Sequence, residues 1–341
     1  MIKVGVIGCG YWGPNLIRNL NGLPECELIA IADLDQSRLD HLARLYPATQ
    51  TTTDHTEITD HPDIDAVIVA TPMGTHYELG RQVLEAGKHL FLEKPMATSS
   101  DDCRKLIAIA DERNLQLMVG HTFLYASPVR KIKELIDSGE LGDIYYVNFS
   151  RVNLGIFQKD ANVVWDLAPH DISMICYLFG DCPVRVSAQG HCYVQRDLGI
   201  EDVAFVALEF GDGRLAHIHV SWLDPNKIRR ATFVGSRKML VYDDISASEK
   251  IRVFDKGVDV QPHYDTFGEF QLLYRSGDVF IPHLDTTEPL KTEMSHFIDA
   301  IEGRDTLLSS GRDGLRVVQV LEKACESIRK DGLPMDLVYD S

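Results

Sequence analysis

The chain enters an apolar run at once, IKVGVIG (2–8), and that run ends in Gly8-Cys9-Gly10-Tyr11-Trp12-Gly13. A GxGxxG pattern alone is a weak signal, because ordinary turn chemistry produces it often. Here it follows a strand and precedes a helical PNLIRNL, with Pro14 suited to an early helical position. In that setting the glycines have distinct roles. Gly8 permits a tight turn, Gly10 lets a pyrophosphate approach the backbone, and Gly13 brings the helix close to the strand. The helix N-terminus then offers N–H groups to the phosphates, and Tyr11 and Trp12 lie in the same loop as candidate cofactor contacts. Asp33 ends the run ELIAIAD (27–33), 20 residues after Gly13. A carboxylate there would hydrogen-bond the adenosine ribose hydroxyls and repel a 2′-phosphate. NAD is therefore expected over NADP, a preference that Arg38, one turn into the next helix, tempers.

The runs DAVIVAT (65–71), HLFLEKP (89–95) and QLMVGHT (116–122) continue the pattern, separated by helical stretches such as THYELGRQVLEAG (75–87) and SDDCRKLIAIADERN (100–114). Strands that are apolar throughout and alternate with helices indicate a parallel sheet covered on both faces. The expected fold class is α/β: a doubly wound parallel sheet over residues 1–123, then a second domain over 124–341, since 341 residues suggest two domains. Ligands of doubly wound sheets bind at the C-terminal ends of strands. Two such ends carry polar groups: TPMGTH (71–76), with Thr71, Pro72 and His76, and EKP (93–95), with Glu93 and Lys94. By itself, a Lys between Glu and Pro at a strand end also reads as a solvated turn.

The formal charge of −17 disfavours nucleic acid and anionic membrane surfaces as partners. Seven cysteines show no metal-ligand spacing, and they read as small buried hydrophobes of a reducing compartment. No metal site is expected. No apolar run reaches the ~18 residues a membrane span needs, no leader is expected before a strand that starts at residue 2, and the expected location is the cytoplasm.

One further stretch stands out. VVWDLAPHDISM (163–174) sets Asp166, His170 and Asp171 among apolar residues, where charges are rare unless paired or used. Ile172, Ile175, Cys176 and Phe179 recur at helical spacing and Gly180 is a plausible stop, so a helix is expected with Pro169 near its start. Asp166 and His170 then lie about one turn apart at the helix entrance. A core histidine satisfied by Asp166 or by backbone is the competing reading. Asp171, an acid in a first helical turn, serves equally as a dipole partner.

With GCGYWG, Asp33, the TP…H segment, EKP and the Asp-x-x-x-His of DLAPH on the page, the chain resembles the glucose–fructose oxidoreductase / inositol dehydrogenase / rhizopine-catabolism family. The C-terminal SGRDGLRVVQVLEKACESIRKDG is similar to that family's closing helix. The resemblance spans essentially the whole chain. It implies a second α/β domain with a large open, mostly antiparallel sheet, and a homodimer or homotetramer. It makes Lys94, Asp166 and His170 the catalytic group and implies a cis Lys94–Pro95 peptide. The class of substrate it implies is a sugar or cyclitol. GYWGPN with WDLAPHDIS is most similar to members that oxidise the 3-hydroxyl of a UDP-linked N-acetyl sugar or its uronic acid in surface-polysaccharide biosynthesis.

The chain departs from the family pattern at Ala168, where Gly is frequent, at Ser173, where an acid is frequent, and in HTFLYASPVR after the sixth strand. Substrate contacts are therefore sought among His121, Tyr125 and Arg130 there, and among Arg151, Asn153 and Lys159 ahead of the catalytic stretch. His217 and His219 alternate along RLAHIHVSW (214–222), so they share one sheet face. Other activities remain in play: a free-sugar or inositol dehydrogenase, a sugar ketoreductase running towards the alcohol, a non-catalytic sensor of NAD and sugar, and an enzyme cleaving glycosides by transient oxidation.

Overall fold

A computed structural model of the protein describes residues 1–260 and 272–339. The chain forms two compact units, Met1–Ala126 with Thr287–Glu322, and Ser127–Thr286 with Lys323–Ser341.

The first unit is built on strands β1 (Ile2–Ile7), β2 (Cys26–Ala32), β3 (Gln50–Thr52), β4 (Ala66–Val69), β5 (His89–Glu93) and β6 (Leu117–Gly120). All pairs are parallel and the order is β3-β2-β1-β4-β5-β6. Helices α1 (Gly13–Asn21), α2 (Gln36–Leu45), α3 (Thr56–Thr59), α4 (His76–Glu85) and α5 (Ser100–Arg113) connect them. This is the doubly wound order whose switch point lies between β1 and β4. β4 is buried along its whole length, as a strand covered on both faces must be. β3, Gln-Thr-Thr, has no apolar run to announce it and is short.

The second unit begins with α6 (Ser127–Asp137), β7 (Ile144–Val152) and α7 (Val163–Phe179). Strands β8 (Arg185–His191), β9 (Val203–Glu209), β10 (Leu215–Ser221), β11 (Ile228–Gly235), β12 (Met239–Asp243), β13 (Ile251–Val260) and β14 (Leu272–Phe280) follow. Helices α8 (Pro289–Ile301) and α9 (Gly311–Arg329) and the two-residue β15 (Met335–Asp336) come last. The sheet order is β14-β13-β12-β11-β7-β10-β9-β8-β15. Among the described residues only β7 and β10 pair in parallel, so the expected open, mostly antiparallel sheet is present. Alternation fixes its faces: Ala216, Ile218 and Val220 are buried on the α7 side of β10. His217 and His219 share the opposite face, where both rings stack on Phe205.

Two expectations need correction. The closing segment does not belong wholly to the second domain: Thr287–Glu322 is part of the first unit. There α8 packs on α1, Glu288 binds Arg18 in a two-bond fork at 2.9 and 2.5 Å, and Phe297 meets Phe91 edge-on. The division falls inside α9. Secondly, α7 starts six residues before Pro169, which is an interior residue. Asn162 caps it by accepting the Trp165 N–H at 3.1 Å. A proline seven positions into a helix removes one backbone bond, and the apolar face that α7 buries against the sheet outweighs that loss.

Candidate active site

The glycine loop is tight for a measurable reason. A Cβ on Gly13 would lie 2.2 Å from the Gly8 carbonyl oxygen, and Gly8 itself has φ +100° with backbone of Ala70 2.7 Å from its would-be Cβ. The start of α1 thus lies directly on the end of β1. No side chain caps α1; Pro14 has no N–H and the Asn15 and Leu16 N–H groups donate to the Trp12 carbonyl, so the Gly13 N–H at the head of the helix is the one that remains there for an anion. Tyr11 and Trp12 project outward, 86 % and 42 % exposed, with their rings edge to face. Asp33 is oriented toward the loop: Oδ2 accepts the Cys9 N–H at 2.6 Å and Oδ1 the Asp35 N–H at 2.8 Å. Arg38 Nη1 stands 3.6 Å from Oδ2, beside Gly10. A glycine cradle that any Cβ would fill, an uncapped helix and an oriented acid fit a dinucleotide, with Gly8, Gly10, Gly13 and Asp33 as its holders.

The turn after β4 is closed by Thr71 and Thr75, whose hydroxyls are 2.7 Å apart, with Pro72 exposed. His76, a candidate cofactor contact by its motif, is turned inward. It is 1 % exposed and spans two carbonyls, Pro95 O from Nδ1 and Thr71 O from Nε2, each at 2.8 Å. Burial pushes its pKa down, against the pull of both carbonyls. The ring therefore ties the turn after β4 to the turn that carries Lys94. Lys94–Pro95 is a cis peptide, as expected, and Lys94 is half-buried.

Behind Lys94 lies a group of buried titratable side chains. Glu93 is 8 % exposed; its Oε2 accepts the Lys94 N–H at 3.2 Å and lies 3.2 Å from the position a Gly120 Cβ would take. Burial pushes its carboxyl up to about 7, and the Lys94 ammonium opposes this. Glu293, on α8, is fully buried; Oε2 accepts the Thr122 hydroxyl at 2.7 Å and Oε1 has no partner among the described residues. Its pKa is raised well above the carboxylate range by burial and by Glu93. His121 is 1 % exposed with both ring nitrogens unpartnered among the described residues, and burial, helped by Lys94, pushes its pKa down to about 3. His121 is therefore a neutral imidazole with no nitrogen facing solvent, unlike the substrate contact expected. Tyr125 is also interior: its hydroxyl lies 3.1 Å from Ser309 Oγ and its ring is against His296.

In the second unit, Asp166 and His170 stand one turn apart on α7, both half-buried. Trp222 Nε1 donates to Asp166 Oδ2 at 2.9 Å, a contact sequence reasoning missed. A buried indole N–H must find an acceptor, and Trp222 closes the run that already held His217 and His219; that was the available signal. Arg151 is not placed as a substrate contact. It is 5 % exposed and gripped by Asp171, Nη2 to Oδ1 at 2.7 Å and Nε to both oxygens at 3.0 and 3.2 Å. This pair settles Asp171 as an internal partner and not a helix-dipole acid. Asn153 is half-buried just past β7, its N–H bonded to Ser221 O, while Lys159 is exposed. Arg130 lies over the Tyr177 ring.

Comparison with known proteins agrees with this geometry. A model described as oxidoreductase family, NAD-binding Rossmann fold, matches residues 2–121, and the same family's C-terminal domain model matches 129–241. The chain is 25 % identical to inositol 2-dehydrogenase of Rhizobium meliloti, over 96 % of this chain and 97 % of that protein. It is 28 % identical to a scyllo-inositol 2-dehydrogenase (NADP(+)) of Bacillus subtilis, over 96 % and 94 %. The fold superposes on UDP-N-acetylglucosamine 3-dehydrogenase from Acidithiobacillus ferrooxidans with TM-score 0.80 at 21 % identity, covering 96 % of this chain and 98 % of that one. The glycine loop, the oriented Asp33 and the two matched domains together place the chain: it belongs to the glucose–fructose oxidoreductase / inositol dehydrogenase / rhizopine-catabolism (Gfo/Idh/MocA) family of NAD-binding oxidoreductases.

Proposed function

We propose that the protein is an NAD-dependent dehydrogenase of a secondary hydroxyl on a sugar ring, with the 3-hydroxyl of a UDP-N-acetyl sugar or its uronic acid as substrate. The observation that carries this reading is Lys94: it stands at the C-terminal end of β5, two strands from the glycine loop, with an acid buried behind it. When bound, NAD supplies the acceptor for the hydride. The chain's own residues handle the proton. His170 accepts it from the hydroxyl as that oxygen becomes a carbonyl, a contribution of roughly 10²–10⁴ in rate. Lys94 donates a hydrogen bond to the same oxygen. Asp166, held by the Trp222 indole, stabilises the positive charge that His170 gains. Asn153 offers an amide to substrate hydroxyls.

A cyclitol is the second reading, favoured by the full-length likeness to two inositol dehydrogenases. A homodimer or homotetramer goes with either, supported by the exposed Tyr146, Phe205 and Leu215 on the open face of the large sheet.

The test mixes enzyme at substrate-like concentration with NAD and one candidate, and follows the absorbance of reduced nicotinamide. A rise with UDP-N-acetylglucosaminuronate that disappears in Lys94→Met and His170→Ala is expected. A rise with myo- or scyllo-inositol alone selects the cyclitol. Near-normal turnover in both variants overturns the assignment of roles.

A further inference from the structure

The large sheet carries a second group of charges on the face turned away from α7. Residues directly opposite each other on neighbouring strands point to the same side. Arg230 lies opposite Asp243, and Arg252 lies opposite Val241, two residues from Asp243. Ser150 pairs with both His219 and Arg230, so all of these belong to the open face, while Ala231, Tyr242 and Ile251 are buried on the other. With Lys227, Ser246 and Glu249 from the flanking segments, Arg230, Asp243 and Arg252 line an open cleft of about 500 Å³, a size usual for small-molecule sites.

The cations of this cleft are unsatisfied. In the same unit Arg185, Arg214, Arg229, Lys238 and Lys250 all have carboxylate partners. Lys227, Arg230 and Arg252 form no ion pair among the described residues, in a chain of net charge −17. Arg252 Nε is also buried without an acceptor there, and an unmatched donor shielded from water costs free energy. A turn of that side chain presents Nε and an Nη to one anion in the two-bond fork that guanidinium groups favour. Arg230 and Arg252 stand two strands apart, about 10 Å, so a phosphate between them lies within reach of both. The acids narrow the ligand further. Asp243 Oδ1 accepts the Ile245 N–H at 3.1 Å, and the Glu249 carboxylate has no partner among the described residues. Two carboxylates beside three cations repel an extended polyanion but accept hydroxyl groups.

We propose that this cleft binds a phosphorylated sugar or polyol, with Lys227, Arg230 and Arg252 on the phosphate and Asp243 and Glu249 on the hydroxyls. The site is separate from the glycine loop, which belongs to the first unit, and from Asp166 and His170, which α7 carries on the other face of the sheet. It does not depend on which alcohol the dehydrogenase oxidises. Tyr146, in the apolar patch offered to a second copy, lies opposite Val234, four residues along β11 from Arg230, so patch and cleft occupy different ends of that strand.

Equilibrium dialysis of the full chain tests this, with NADH at saturation to fill the glycine loop and leave no oxidant for the probe. Labelled glucose 6-phosphate should bind, and inorganic phosphate more weakly, since it brings no sugar hydroxyls. Arg230→Gln and Arg252→Gln should each weaken glucose 6-phosphate about tenfold or more, the size of one hydrogen bond to a charged group. Arg230 is exposed, so its substitution leaves the core intact. His170→Ala should bind the probe as wild type does, and Glu249→Gln should bind inorganic phosphate more tightly, having lost a like charge. No binding of either probe, or binding unchanged in both arginine variants, overturns the proposal. Binding lost in His170→Ala and kept in the arginine variants puts the probe at the reacting site and overturns it too. Equal affinity for the two probes overturns the assignment to a sugar ester. Absent binding, with an assembly whose mass changes in Arg230→Gln by ultracentrifugation, means that a second copy fills the cleft and no phosphate ester does.

Discussion

The Arg151–Asp171 pair allows a quantitative test of what holds α7 against the sheet. Both side chains are at most 6 % exposed, and three hydrogen bonds of 2.7 to 3.2 Å join them. Burial pushes the Asp171 carboxyl up, and the guanidinium pulls it back. Removing one partner strands a charge where nothing replaces water, which costs about 3–5 kcal/mol. Arg151→Met takes the hydrogen-bonded cation from the buried Asp171 carboxylate, on which Arg229 also acts, and should lower the unfolding free energy of the second unit by up to that amount. Replacing both, Arg151→Met with Asp171→Leu, removes two desolvation penalties and fills the space with carbon. That double variant should lie close to wild type or be more stable by about 1–4 kcal/mol. Urea denaturation followed by tryptophan fluorescence reports on it, since Trp165 and Trp222 both belong to the second unit. A single variant within about 1 kcal/mol of wild type would refute the reasoning, as would a double variant as unstable as the single. The same pair of variants tests the sequence-based assignment of Arg151 to substrate. If the stable double variant loses activity, the guanidinium has a duty at the substrate; if it keeps activity, it has none there.

In Gly13→Ala, the methyl meets the Gly8 carbonyl at 2.2 Å and must push α1 off β1. A loss of about 1–3 kcal/mol in stability should accompany weaker NAD binding by calorimetry; unchanged affinity would contradict the close approach. Trp222→Phe removes the indole N–H from Asp166, a charged hydrogen bond of about 1.5–3 kcal/mol, and kcat should fall about tenfold or more while NAD affinity holds. A wild-type kcat would show that Asp166 needs no such partner. Glu93 also links stability to pH. Its folded pKa, about 7, is raised above 4.5, so its stabilising contribution is complete below 4.5 and is lost as pH rises through 7. That loss amounts to about 3 kcal/mol, so Glu93→Gln should gain on wild type between pH 5 and pH 8 in parallel denaturation curves. A constant difference would mean that Glu93 ionises alike in folded and unfolded chains.

The legible parts of this protein were those written in continuous stretches of chain. The glycine loop, Pro14 and the parallel strands follow from local backbone requirements, and Lys94 could be placed because EKP ends a recognisable run. Asp166 and His170 were separated correctly because four residues make one helical turn wherever the helix begins. What the sequence hid were pairings between distant segments. Nothing near His76 announces that two carbonyls, 19 residues away at Pro95 and 5 away at Thr71, will converge on its ring. Arg151 read as a free cation because its partner lies across the sheet-to-helix interface, on the far side of Lys159 and Asn162 in the chain. Pro169 misled about the start of α7, since a proline signals a helix entrance unless buried apolar contacts carry the helix past it. Glu293 gave no sign at all: within LKTEMSHF it looks like an ordinary surface acid, and only the return of α8 to the first unit makes it interior.

That return also sets an order of events during synthesis. The first 126 residues carry every strand of the parallel sheet and leave the ribosome first, at ~5–20 residues per second. They leave without the helix that covers α1 and the edge of Phe91. Until residue 301 has emerged, the dinucleotide-binding sheet has a bare apolar flank and Thr122 has no carboxyl to meet. Domains generally fold as they emerge, but here the body of the second unit must be translated before the first can close. A ribosome stalled with residue 126 just clear of its exit would therefore display a nascent chain open to chaperones, and one stalled with residue 301 clear of it a chain whose first unit can close.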